Sequence, residues 1–515
     1  MNIGGLLTRS ARLYPDRPAV SWGREHYRYN LFNSRVNRLA NALTGRGLSK
    51  GDRVALLMHN CPQMLEAMFA AFKAGMVAVP INFRLHLKEY SYIIQQSGAR
   101  AVILSQEFNE ENLNSKEPAL DVELLVTTGG AVGPLKDYEG FLAAGRENFE
   151  DVEVEPDDPA WLFYTSGTTG RPKGATLTHR NLLAMTLCYY ADFGPLGPRD
   201  AILHAAPLSH GSGLYSIPNI ARGAHNVIPA GKSFVPDQIL GEIEAGRITN
   251  MFAAPTMVKL MVEAFKNSAF NISRLRNLIY GGGPMHVEDL VSARKVLGDC
   301  LTQLYGMGET PMTITYLPRE DHELGGSELQ LKRLASAGFS RTGVEVRVVD
   351  SGDNRLEPYR KGEVVVRSDV VMKGYWQNPG ATAEAMRGGW LHTGDVGYLD
   401  EAGYLFLLDR AKDMIISGGE NIYPREVEEV LARHPAVREV AVIGVPDAKW
   451  GESVVAIVSL SEDHTADEDQ LIGFCRENLA SYKKPKKVYF TTELPKNNYG
   501  KILKRELKDK FGVIF

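Results

Sequence analysis

The sequence predicts an α/β fold: a large N-terminal region of mainly parallel α/β sheets with a β-rich subdomain, then a small α+β C-terminal domain. Three observations predict it. The chain has 515 residues, more than one hydrophobic core usually serves. Strand-like and helix-like segments alternate over residues 1–150 and again from Ala201 to Tyr305. From about Ser340 to Leu408 that alternation gives way to short strands separated by Gly, Asp and Asn turns.

Phe32, Val36, Leu39 and Leu43 recur at helical spacing. Val54 to Met58 reads as a buried strand, Pro62 to Ala74 as a helix and Met76 to Pro80 as another strand. In the β-rich stretch, Val344 to Val349 and Gly362 to Arg367 read as strands. After Asp409 a hairpin-like start leads to a helix near Arg425 to Arg433 and strands at Val440–Val445 and Val454–Leu460. A helix near Asp467 to Leu479 follows. These segments divide the chain into an N-terminal domain over 1–409 (β-rich subdomain at about 340–409), a hinge at 410–412 and a C-terminal domain over 413–515.

Composition narrows the function. Hydrophobic residues make up 44% and charged residues 23%, with a net charge of −4, so no basic excess points to nucleic acid. Cys61, Cys188, Cys300 and Cys475 form no C-x-x-C pair, and are expected to be buried thiols in a reducing cytoplasm. The N-terminus lacks the pattern of a signal peptide. The most apolar stretch, Met64 to Ile81, is interrupted by Glu66 and Lys73 and reads as helix and buried strand, so no integral membrane segment is expected.

The strongest motif is Tyr164-Thr-Ser-Gly-Thr-Thr-Gly-Arg-Pro-Lys-Gly174, which follows the apolar strand Trp161-Leu-Phe-Tyr. Its glycines allow close backbone approach, its hydroxyls donate and Lys173 supplies a cation, as a polyphosphate cradle needs. The spacing is not that of a Walker A loop, because Pro172 stands five residues after Gly167. The whole string resembles the signature loop of the adenylate-forming superfamily of acyl-CoA synthetases, luciferases and peptide-synthetase adenylation domains. Further motifs of that family follow in order, so the resemblance covers nearly the whole chain.

The resemblance implies an ATP/AMP site formed by Thr165, Ser166, Gly167, Thr168, Thr169, Gly170 and Lys173, with Gly281, Gly282 and Gly283 lining adenine and carboxylate. In Leu304-Tyr-Gly-Met-Gly-Glu-Thr310, similar to the family's Tyr-Gly-x-Thr-Glu, Tyr305 would stack on adenine beside Gly306 and Met307, and Glu309 would hold Mg²⁺. Gly308 stands where threonine is common, and whether Thr310 replaces that hydroxyl stays open. Asp395 would accept from the ribose hydroxyls and Arg410 would bind ribose or phosphate. His210 would border an acyl pocket with Ser212, Gly213, Gly281, Met307 and Met312, where the small residues 211–213 are expected to leave room for an acyl tail. Lys412 matches the family's hinge residue. Lys501 matches its catalytic lysine, which acts with Glu309 and His210.

Coenzyme A is the acceptor implied by Gly418 and Gly419, which would wall a pantetheine tunnel, by Trp450, which would stack on its adenine, and by Lys484 and Lys486, which would meet its 3′-phosphate. The expected partners are therefore a small carboxylic acid, ATP with Mg²⁺, and coenzyme A. A medium- or long-chain fatty acid is favoured, because among the small or flexible candidates Ser212, Gly213, Gly281, Gly282, Met307, Gly308 and Met312 only Ser212 is polar. An aryl or cyclic acid, or an amine or carrier-protein acceptor, is the alternative. Lys501, Glu309, Asp395 and Arg410 together argue against an inactive nucleotide-binding protein. A homodimer rests on base rate alone.

Overall fold

The structure, a computed structural model, describes residues 1–108, 122–130, 135–165, 171–231, 233–266, 268–410, 413–417, 420–447, 450–461, 464–496 and 502–512, the side chain of Arg410 excepted. Among these residues the chain forms four sheets. The seven-stranded sheet runs Lys136–Asp137, Leu124–Thr127, Ala101–Leu104, Arg53–Leu57, Val77–Ile81, Pro159–Thr165, Lys173–Thr178. Its pairings are parallel except the closing hairpin between Pro159–Thr165 and Lys173–Thr178. The nine-stranded sheet has a parallel centre built from Pro18–Trp22, His225–Ile228, Ala201–Leu203, Asn250–Ala253, Asn277–Tyr280 and Leu301–Tyr305. Antiparallel strands flank it at both edges.

Parallel strands must bury both faces. In each sheet residues therefore alternate between two cores: Leu56, Ile103, Ile202 and Ile279 join the largest cluster, which both sheets share, while Ala55 and Leu57 join a second and Leu203 and Leu278 a third. The largest cluster draws on both sheets and on the helices Tyr29–Thr44, Pro62–Lys73 and Gly211–Ala221. The predicted stripe of Phe32, Val36, Leu39 and Leu43 is fully buried there.

The apolar run Met64–Ile81 forms a buried helix and strand, and its two charges are answered internally. Arg35 Nε donates to Glu66 Oε1 at 2.5 Å and the Tyr138 hydroxyl to Oε2 at 2.8 Å. Lys73 Nζ donates to Asn33 and Asn37 at 2.6 and 2.8 Å. No helix among the described residues is long and apolar enough to cross a membrane. All four cysteines are buried.

The β-rich part is an antiparallel sheet of Glu345–Val349, Gly362–Arg367, Trp390–Leu399, Met386–Arg387 and Leu405–Arg410. Ser340 lies outside it, because Phe339–Ser340 pairs with Thr315–Leu317 at the edge of the nine-stranded sheet. The last sheet joins Glu420–Ile422, Ile415–Ser417, Gly451–Leu460, Val437–Asp447 and Lys487–Phe490. The helices Pro424–Ala432 and Glu468–Asn478 cover one face and Lys504–Phe511 the other.

Candidate active site

Register carries the site. The hairpin pairs Thr165 with Lys173 and so fixes both ends of the glycine-rich loop, while Ser166, Gly167, Thr168, Thr169 and Gly170 lie outside the described residues. The segment Gly374–Trp376 runs beside the second hairpin strand. Thr176 N donates to Gly374 O, and Trp376 N to Gly174 O at 2.7 Å. That pairing brings Tyr375 into the site, with Lys173 Nζ 5.2 Å from its ring centre.

Glu309 sits among these groups and is 3% exposed. Its Oε1 accepts from the Tyr375 hydroxyl at 2.8 Å and the Thr165 hydroxyl at 3.4 Å. Its Oε2 is buried and has no hydrogen-bond partner. A buried carboxylate oxygen left unpaired is costly, and a hard cation at that point would satisfy it. No group of three or more potential metal-binding side chains occurs among the described residues. A lone carboxylate suits Mg²⁺ held mostly by phosphate and water oxygens.

Tyr305 ends the strand Leu301–Tyr305, and its hydroxyl donates to Asp395 Oδ2 at 2.6 Å. Asp395 lies opposite Arg410 in the β-rich sheet, so three residues expected at the nucleotide come to the same point along the backbone. Gly282 adopts φ +84°, and nothing lies within 4 Å of where a side chain would begin, so this turn after Tyr280 is open. Gly281 is small for another reason: a Cβ there would meet Leu304 O at 2.5 Å. Gly306 likewise backs closely onto Met312 and Thr313, and Gly283 meets only Pro255, at 3.9 Å.

The structure corrects part of the acyl pocket. Gly211 and Gly213 do not border open space; each is small because a neighbour already lies against it. A side chain at Gly211 would overlap Met312 Sδ, and one at Gly213 the carbonyl of Leu208. Ser212 is fully buried, and its hydroxyl bonds His204 Nδ1 at 2.8 Å. The Thr310 hydroxyl is buried and is used by the Met307 backbone, at 3.2 Å from its N and 3.3 Å from its O, so it does not replace the hydroxyl missing at Gly308. His210 does border the site. It caps the helix Gly211–Ala221, lies 4.9 Å edge-on to Phe163, and desolvation lowers its pKa to about 3, leaving a neutral imidazole.

Two of the residues matched to coenzyme A meet at the start of the strand Gly451–Leu460. Ser417 pairs with Gly451, which adjoins Trp450, and Lys486 Nζ lies 4.6 Å over the Trp450 ring. Trp450 is 42% exposed, and Lys484 is two residues before Lys486 in the same turn. Gly418, Gly419, Lys412 and Lys501 lie outside the described residues. Tyr375 and Phe163 escaped sequence reasoning as site residues. Tyr375 had one usable signal: it is an aromatic in Gly374-Tyr-Trp-Gln-Asn-Pro379, a segment close to a pattern of the same family.

The model of the AMP-binding enzymes matches residues 7–376, and that of the AMP-binding enzyme C-terminal domain matches 426–501. The chain is 39% identical to a feruloyl-CoA synthase of an Amycolatopsis species, over 99% of each. It is 35% identical to a long-chain-fatty-acid–CoA ligase of Mycobacterium tuberculosis, again over 99% of each. The solved amide bond synthetase of Marinactinospora thermotolerans superposes with a TM-score of 0.89 at 29% identity, covering 99% of this chain and 100% of that one. With a matching family model over most of its length and relatives aligned from end to end, the chain belongs to the AMP-binding enzymes, the adenylate-forming ligase family.

Proposed function

We propose that the chain activates a carboxylic acid as its acyl adenylate and transfers the acyl group to coenzyme A. The observation that carries this reading is Glu309, whose one free, buried oxygen lies beside Thr165, Lys173 and Tyr375 at the ends of the glycine-rich loop. Bound at that oxygen, Mg²⁺ would supply neutralisation of polyphosphate charge. Thr165 and Tyr375 hold the carboxylate in place. Tyr305 and Asp395 form the adenosine end, with Arg410 opposite Asp395.

The acid's carboxylate attacks the α-phosphorus and pyrophosphate leaves, with the Lys501 cation stabilising the developing charge. The neutral imidazole of His210 borders the reacting carboxyl without placing a second cation there. We further assign an N-terminal domain to 1–409 and a C-terminal domain to 413–515 that turns about Lys412. Turning withdraws Lys501 and brings in Gly418 and Gly419, and the coenzyme thiol then displaces AMP. Trp450, Lys484 and Lys486 hold the coenzyme's nucleotide.

The rings of Phe163 and His210 at the site favour an aryl acid over a long aliphatic one. An amine acceptor is the second reading, favoured by the likeness to the amide bond synthetase. AMP release across a panel of acids, with Mg-ATP and with or without coenzyme A, tests both. Thioester formed only with coenzyme A supports the first. AMP without thioester turns the assignment toward an amine. Glu309→Gln should cut AMP release at least about 100-fold and raise the Mg²⁺ concentration needed; unchanged activity would remove Glu309 from the site.

A further inference from the structure

A cavity of about 190 Å³ lies where the glycine-rich loop rejoins its hairpin. Tyr92 and Gln96 of the helix Leu87–Ser97 line it together with Tyr375 and Trp376, and Arg171 and Lys173 enter from the end of the loop. Among the described residues that line it, these two are the charged ones, and neither pairs with a carboxylate. Each lies over a ring instead: Arg171 Cζ is 5.7 Å from the centre of Tyr92, and Lys173 Nζ 5.2 Å from that of Tyr375. A ring face steadies a cation without cancelling its charge. The cavity therefore holds two uncompensated positive charges, which suits a small polyanion.

The walls are fixed in place. Trp376 N donates to Gly174 O at 2.7 Å, and Gln96 Nε2 to Trp376 O at 3.0 Å. The indole Nε1 of Trp376 is buried and makes no hydrogen bond, so this wall also carries an unused donor. Tyr375 ties the cavity to the reacting centre. Its ring lines the cavity, while its hydroxyl donates to Glu309 Oε1 at 2.8 Å. The cavity thus lies one ring away from the carboxylate that would hold Mg²⁺. His210 and Phe163, which border the acid, do not line it.

We propose that this cavity is the departure site of the pyrophosphate released on adenylation, and that Arg171 is the residue that draws the anion out of the polyphosphate cradle. The inference rests on the adenylating function proposed above. Once the acid's carboxylate has displaced pyrophosphate, the acyl adenylate must stay while a highly charged leaving group departs; otherwise the reverse attack re-forms ATP. A cationic cavity beside the cradle and apart from the acid separates the two products. Lys173 stands between the loop and the cavity, and Arg171, the more exposed of the pair, offers a planar fork that fits two phosphate oxygens at once.

The test measures inorganic pyrophosphate as an inhibitor against Mg-ATP in the full chain, and its binding by tryptophan fluorescence, with Trp376→Phe as the blank. Arg171→Met keeps the stem and removes the charge. It should weaken pyrophosphate inhibition and binding at least about 10-fold, as loss of a charge-assisted bond to phosphate does, while the KM for Mg-ATP moves much less. Arg171→Lys should keep most of the effect. Tyr92→Leu, which removes the ring beside Arg171, should weaken pyrophosphate in the same sense by a smaller factor. Equal rises in the inhibition constant and in KM would mean that Arg171 serves bound ATP, and unchanged inhibition that it meets no phosphate; either result overturns the proposal. Sulfate competing as well as pyrophosphate would overturn it too, as the mark of an unspecific cationic patch. If acids release AMP but pyrophosphate ignores Arg171, this inference alone falls. If no acid releases AMP, the ligase reading falls and takes this inference with it.

Discussion

Gly308 departs from the family pattern for a steric reason. A Cβ there would lie 2.5 Å from a ring carbon of Phe163 and 2.7 Å from the Thr165 methyl. The Thr165 hydroxyl, 3.4 Å from Glu309 Oε1, already stands on this side of the carboxylate. Restoring the family residue by Gly308→Thr should therefore overpack the site, cost about 1–3 kcal/mol and lower adenylation. Adding Phe163→Leu should recover much of the loss, and ATP–pyrophosphate exchange on the single and double variants measures it. Recovery by Gly308→Thr alone would mean that the ring moves freely. The motif strings made Tyr305, Glu309, Asp395 and Lys173 legible, since contiguous residues carry them. The roles of Phe163 and Tyr375 were not legible, because they meet His210 and Glu309 across long sequence separations. What Gly211 and Gly213 face was not legible, because smallness in a sequence does not say which side is already filled.

The helix Pro424–Ala432 shows how one element serves two bodies. Proline opens it, and Val427, Val430 and Leu431 bury an apolar face against the last sheet. Its acidic face meets the rest of the chain: Lys361 Nζ is 3.0 Å from Glu426 Oε1, and His286 Nδ1 is 3.2 Å from Glu429 Oε1. Burial opposes the charge on His286, but Glu429, with Glu428 and Asp289 nearby, outweighs it and raises the pKa. Burial likewise works against the Glu429 carboxylate, yet His286 and Arg425 lower its pKa. A raised histidine contributes stability that is fully present below about pH 6.5 and is lost as pH rises through its folded pKa. Glu429 contributes above about pH 4.3, and its share is lost only as pH falls through its lowered value. The contact should thus weaken on the alkaline side, on the order of 1 kcal/mol for a pair so close to the surface. Melting temperature from pH 5.5 to 8.5 should fall more steeply in the wild type than in Glu429→Gln; parallel curves would deny the pair a role. Elements of this kind were readable from their stripes. The order of strands was not: Pro18–Trp22 lies beside His225–Ile228, a long-range pairing that no local period announces.

At the scale of the molecule, the junction between the β-rich sheet and the last sheet turns on one half-buried cation. Lys504 opens the final helix, Lys504–Phe511, with its side chain 18% exposed. Its Nζ lies 3.2 Å from Asp409 Oδ2 and 3.0 Å from Glu428 Oε1. Asp409 belongs to the strand that leads into the proposed hinge, and Glu428 to the helix that docks against the rest of the chain. One ammonium therefore ties the hinge strand to two helices of the C-terminal unit. Burial disfavours its charge, but Glu428 and Asp409 together more than compensate and raise its pKa. Lys504→Met keeps the stem and removes the charge, which leaves two mostly buried carboxylates without their shared partner. Breaking such a pair costs about 3–5 kcal/mol, far more than the pair itself contributes. If the C-terminal unit unfolds by itself, calorimetry of Lys504→Met should show its transition lowered by roughly 10 °C or more while the transition of the larger part stays in place. A single transition that moves as a whole would instead mean that the two parts unfold together, with the junction too extensive for one cation to separate them. An unmoved melting profile would mean that Asp409 and Glu428 find water once Lys504 is gone, and that the hinge strand is held by its sheet alone.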